Sequence, residues 1–179
     1  MKKSLLKNNQ GFTLIELLVS FIIITSSVLG IFSLIIQNIQ VQKINKDQLI
    51  ASQLAQEGLE LVRNIRDYNW LHDDIYDTWY GITGGSSVEF SIIDYNDSAE
   101  AGVTPVTGIS DPQTRLYKNA NGFYTHDVTG TATQFSRVIK IEYDDITSPE
   151  QIMVESNVQW EINGKTYNYI ADTILYDWR

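Results

Sequence analysis

Glu16 is the only charged residue between Phe12 and Ile36, a stretch of 25 mostly apolar residues. A carboxylate inside an apolar helix costs about 2.5–3.5 kcal/mol at the centre of a bilayer, and its presence points to a cationic partner. Gly11 and Phe12 stand just ahead of it, after a polar leader that carries Lys2, Lys3 and Lys7. Other chemistry-bearing residues are sparse. There is no cysteine, which removes thiolate nucleophiles, disulfides and cysteine metal sites. His72 and His126 are far apart in sequence and form no His-x-x-x-His or Glu-x-x-His pair. Neither a Gly-x-Ser-x-Gly elbow nor a Gly-x-x-x-x-Gly-Lys loop occurs. Gly81-Ile82-Thr83-Gly84-Gly85 lacks the preceding strand and following helix of a dinucleotide loop. The stretch Asp94-Tyr95-Asn96-Asp97-Ser98-Ala99-Glu100 offers oxygens to Ca²⁺, but Ser98 and Ala99 fall where a calcium loop needs Asp or Asn and then Gly. It reads as a solvated acidic loop. No carboxylate pair stands out among the 22 acidic residues, so the expectation is a non-catalytic protein without cofactor or metal.

The leader and the residues after it, Lys7-Asn8-Asn9-Gln10-Gly11-Phe12-Thr13-Leu14-Ile15-Glu16, resemble the N-terminus of type IV prepilins and type II secretion pseudopilins. That family pattern is a short basic leader ending in Gly, then Phe, a few apolar residues, and Glu at the fifth mature position. Gly11, Phe12 and Glu16 match it residue by residue. The resemblance implies cleavage after Gly11 by a membrane prepilin peptidase and methylation of the new Phe12 amine. It also implies assembly with other pilins or pseudopilins through the N-terminal helix. The physics of Glu16 agrees. A carboxylate and the Phe12 amine of a neighbouring subunit can pair in a dry helix bundle, and the pair sets register because misregistered packing leaves both charges unpaired. The plainer alternative is a Glu16 that snorkels to the interface without a partner.

The run from Phe12 to Ile36 reaches roughly 37 Å as a helix, enough to cross a bilayer. The lysines before it place the N-terminus in the cytoplasm and the rest outside. A secretory signal has a shorter apolar core of about 7–15 residues; a plain signal anchor is the stronger competitor. From Gln37 to Arg66 the chain is more polar yet helical in period. Leu54, Ala55, Gly58, Leu59, Val62 and Ile65 recur at three- and four-residue steps. Glu60 with Arg63, and Arg63 with Asp67, are spaced for ion pairs on the other side. No proline precedes Pro105, so one long helix is expected from Phe12 to about Tyr68. Many pilins carry a proline at the position of Ser33. Here Thr25, Ser26, Ser27 and Gly30 either bend or melt the helix, or serve close helix packing.

Asp67 to Gly85 reads as a connector, ending in a turn at Gly84-Gly85-Ser86-Ser87. Beyond it the period is two. Strands are expected at Val88–Ile93, Arg115–Tyr117, Phe123–Thr125, Phe135–Tyr143, Gln151–Ile162 and Lys165–Tyr176. Turns fall at Asn121-Gly122 and Asn163-Gly164. Ile93 to Thr114 reads as a surface loop. The predicted fold is α+β: a long N-terminal helix, transmembrane in its first half and amphipathic in its second, packed on a C-terminal antiparallel sheet. The divisions are 1–11 leader, 12–36 membrane and assembly helix, 37–69 amphipathic helix and 70–179 sheet domain.

The formal charge is −9; without the three leader lysines, ten basic residues face 22 acidic ones, a balance of −12. Such a surface disfavours phosphate backbones, so no nucleic-acid partner is expected. The segment Ala51-x-x-Leu54-Ala55-x-x-x-x-Glu60-x-x-Arg63, with Val158-x-Trp160 near the C-terminus, is similar to minor pilins of the type IV modification group and to I-type pseudopilins. The resulting expectation is a minor pilin in the inner membrane, then in a cell-surface or periplasmic filament. The alternatives are a type II secretion pseudopilin and a signal-anchored extracytoplasmic binding or enzymatic domain.

Overall fold

The computed structural model describes residues 11–71, 82, 88–97, 103–145 and 150–176. The leader ahead of Gly11, the turn at Gly84-Gly85-Ser86-Ser87 and His72 lie outside them. Helix α1 spans Leu14–Leu71 without a break, 58 residues. Thr13 starts it: the Thr13 hydroxyl accepts the Glu16 backbone N–H at 3.3 Å. A Thr followed three residues later by Glu is the sequence signature of a capping box. Thr25, Ser26 and Ser27 do not melt the helix. Their hydroxyls donate to the carbonyls of Phe21, Ile22 and Ile23 one turn earlier, at 2.7–2.8 Å. Helix also continues through Asp67–Leu71, where the periodicity predicts a connector. Asn69 and Trp70 are buried there, and the Arg66 guanidinium lies 4.6 Å from the Trp70 ring centroid. Tertiary burial thus extends the helix past the end of its apolar stripe.

The chain divides into two compact units, residues 1–45 and 46–179. In the first, residues 11–43 are exposed throughout, the large apolar side chains included. In the second, the remaining part of α1 buries Ala51, Leu54, Ala55, Gly58, Leu59, Val62 and Ile65, the stripe that the three- and four-residue spacing predicts. Glu60 pairs with Arg63 as expected. The Arg63–Asp67 pair does not form, because Asp67 instead accepts from Arg66 Nε and Nη2 at 2.9 and 2.8 Å.

Seven antiparallel strands lie among the described residues: β1 (Val88–Ile92), β2 (Thr104–Val106), β3 (Arg115–Lys118), β4 (Tyr124–Thr125), β5 (Thr131–Tyr143), β6 (Gln151–Ile162) and β7 (Lys165–Tyr176). β5 is the hub. β6 lines one of its edges; β3 and β1 pair with its N- and C-terminal halves and so share the other. β2 adds to β1, β4 to β3, and β7 to β6. The tight β6–β7 turn has φ of 53° at Asn163 and 75° at Gly164, the mirror-image turn that suits the twist of a hairpin.

β2 and a 3-10 turn at Pro112–Thr114 fall inside the segment that reads as a surface loop. Three residues around a proline carry no two-residue period, so β2 is invisible locally. Its pairing with β1 creates it.

β6 alternates strictly between buried and open positions, with Ile152, Val154, Ser156, Val158, Trp160 and Ile162 buried. Phe135, Arg137, Ile139, Ile141 and Tyr143 of β5 are buried on the same face. Across the sheet, one row on this face reads Ser91, Ile139, Ser156, Ala171. Small side chains there let α1 approach at Gly58, where an added Cβ would stand 2.6 Å from Ile139 Cδ1 and 2.7 Å from Ser156 Oγ.

Candidate functional site

The processing and assembly residues predicted from sequence, Gly11, Phe12 and Glu16, cluster where α1 begins. Gly11 and Phe12 precede the helix, and Glu16 sits in its first turn. All three are exposed, Phe12 at 77%. A carboxylate in the first turn is favoured by the helix dipole. Among the described residues nothing asks for glycine at position 11: an added Cβ would meet none of their atoms within 4 Å, and its φ is not in the left-handed region. Thr13, which sequence reasoning passed over, organises this start. The Thr-x-x-Glu spacing was the available signal.

Four of the five hydroxyls between Glu16 and Ile36 need no polar help in an apolar medium; Ser33 is the fifth. The Ser20 hydroxyl donates to the Glu16 carbonyl at 2.8 Å, and Thr25, Ser26 and Ser27 do likewise further on. Each of these four is satisfied by its own helix. Among the described residues one helix is long and apolar enough to cross a membrane.

The head contains a second cluster that the spacing of its members hides. His126 is not isolated. Its Nδ1 lies 2.6 Å from Asp94 Oδ1, and its backbone N–H donates to the same carboxylate. The Thr125 hydroxyl donates to Asp94 Oδ2 at 2.8 Å. Asp94 is therefore not part of a solvated acidic loop; its side chain is 13% exposed. Burial alone raises its carboxyl. The His126 hydrogen bond and charge, with the Thr125 hydroxyl and the His126 amide, outweigh that and hold it below the usual carboxylate range.

Arg137 lies beside it, fully buried. It donates to the carbonyls of Leu54 at 3.2 Å and Ile93 at 2.7 Å, and approaches Glu57 at 3.4 Å and Asp94 at 4.0 Å. One cation thus ties α1, the end of β1 and the central strand together. Asp47 is a second acid that is buried rather than solvated. An Asp–His pair invites a general-base reading, but the geometry opposes it. His126 Nε2 faces the Arg137 carbonyl at 3.4 Å and the side chain is 5% exposed, so neither ring nitrogen is free for a bound molecule. Among the described residues, no group of three or more His, Cys, Asp or Glu side chains is placed to hold a metal ion.

Residues 6–32 match the prokaryotic N-terminal methylation motif. The N-terminal segment is type IV prepilin-like. No curated protein and no solved structure matches the chain. The match begins in the leader and takes in Gly11, Phe12, Glu16 and most of the apolar run. A prepilin-like motif points to a structural subunit that a prepilin peptidase processes and that assembles with other pilins. Together with the apolar helix it points to membrane anchoring. The helix-on-sheet head agrees with pilin-like architecture.

Proposed function

We propose that this prepilin-like chain is a minor pilin of a type IV pilus-like filament. It enters the inner membrane with its lysine-bearing leader in the cytoplasm and its head outside. A peptidase cuts after Gly11, the Phe12 amine is methylated, and the mature subunit packs into the filament through residues 12–36. Glu16 then pairs with the Phe12 amine of a neighbouring subunit. The positive end of the helix dipole lies beside that amine, which makes an anionic partner more favourable.

The observation that carries this reading is a glycine that no described neighbour requires, at the junction of a basic leader and an apolar helix within the methylation motif. A residue that its own fold does not require answers to something outside it, here the peptidase. Co-expression with a prepilin peptidase should yield a protein starting at N-methyl-Phe12 by intact mass. Gly11→Val should keep its leader. An unprocessed wild-type chain under those conditions would sink the proposal and favour a signal anchor.

A further inference from the structure

β7 is an edge that its sequence does not guard. It pairs with β6 over its whole length, from Lys165 opposite Ile162 to Tyr176 opposite Gln151, without a bulge. No strand among the described residues pairs with its other edge. Edge strands are normally blunted by proline, bulges or several charges. β7 has no proline, and its charges are Lys165, at the turn, and Asp172. The tight turn makes Ile162 and Lys165 a hydrogen-bonded pair. By alternation, Thr166, Asn168, Ile170, Asp172, Ile174 and Tyr176 aim their backbone N–H and C=O groups at the free edge.

The side chains on this outer face state what chemistry would cover it. Ile170, Ile174 and Tyr176 are 46%, 41% and 51% exposed. Asp172 stands directly opposite Glu155, and like charges at opposed positions destabilise a sheet. Asp172 has no hydrogen bond or ion pair among the described residues. Lys140, opposite Glu155 on the far side, is committed to Glu142 at 2.9 Å.

We infer that β7 is a docking edge for an extended segment of a different protein, which adds as a further strand with a Lys or Arg against Asp172 and apolar residues two positions to either side. A second copy of this chain is disfavoured by its net charge of −9. Main-chain hydrogen bonds along β7 supply affinity, and the apolar–cation–apolar alternation supplies selectivity. The inference goes beyond the pilin reading and stands without it.

The test uses the full chain in detergent micelles and two capped peptides, TVTITKTITVT and its central-glutamate counterpart TVTITETITVT. Binding is followed by fluorescence anisotropy and by hydrogen exchange of the edge-facing amides. The lysine peptide should bind up to about fivefold tighter than the glutamate peptide, the scale of one cross-strand charge pair. Asp172→Lys should reverse that preference. Ile170→Pro removes an N–H that points away from β6, so it should abolish binding of both peptides; if it unfolds the head, the reversal by Asp172→Lys decides. Bound peptide should slow exchange at the edge-facing amides. No binding of the lysine peptide, or equal binding of both to wild type, would overturn the inference. So would edge-facing amides already slow in the free chain, which means that the chain covers its own edge. Self-association lost in Asp172→Lys or Ile170→Pro would assign the edge to a second copy instead.

Discussion

Gly58 and Gly30 are the same residue type on one helix, and their surroundings give them opposite meaning. An added Cβ at Gly58 would press into Ile139 and Ser156 on a buried face, whereas at Gly30 it would meet nothing within 4 Å. Gly58→Leu should therefore lose about 3 kcal/mol of head stability, the upper range for overpacking a closed core, while Gly30→Ala leaves head stability unchanged. Urea unfolding of both variants, followed by tryptophan fluorescence, measures the contrast. Asp94 makes a prediction in pH. Its folded carboxyl lies below the ordinary 3.8, so its contribution is present above that value and is lost as pH falls through the lower folded value. Head stability should fall on acidification below about pH 4, and Asp94→Asn should flatten that part of the curve. An identical acid limb in the variant would assign acid sensitivity to other carboxylates.

At the scale of elements, α1 serves two environments with one backbone. Residues 11–43 are exposed, whereas the part of the helix within 46–71 buries its apolar stripe against the sheet. The head's strands and the helix face that covers them all lie beyond residue 45. A fragment beginning at Gln37 keeps every strand and the whole stripe, so it should fold in water without detergent. Circular dichroism should show mixed helix and sheet with a cooperative thermal transition. A spectrum dominated by disorder would falsify the helix-on-sheet head as an independent unit.

At the scale of the whole molecule, the proposed pairing of Glu16 makes insertion and assembly separable by one charge. Removing the Glu16 carboxylate lowers the cost of placing the helix in a bilayer, so Glu16→Ala should still insert and still lose its leader. The neighbouring Phe12 amine, however, is left without a partner in an apolar bundle, and register suffers. Comparing leader cleavage with recovery in sheared filaments tests this. Normal recovery of the variant would show that Glu16 snorkels, and loss of cleavage would make it a recognition element for the peptidase.

Features that repeat locally could be read without a structure. The apolar run, the stripe from Leu54 to Ile65, the alternation of β6 and the turns at Asn121-Gly122 and Asn163-Gly164 are set by neighbours in the chain, because helix and strand periods and turn dihedrals are local. The N-terminal methylation motif was legible for the same reason: it is a short contiguous pattern, and Gly11, Phe12 and Glu16 lie within six residues. Tertiary structure decided the rest. β2 exists because β1 presents an edge to it, and α1 runs on to Leu71 because Trp70 is buried. Arg137 shares a buried face of β5 with Phe135, Ile139 and Ile141, and only the fold brings it the carbonyls of Leu54 and Ile93 and the Glu57 carboxylate that explain a buried cation there. Asp94 and His126 are 32 residues apart, and no spacing rule joins them. Their partnership is produced by the fold, since desolvated polar groups need hydrogen-bond partners wherever the backbone brings them.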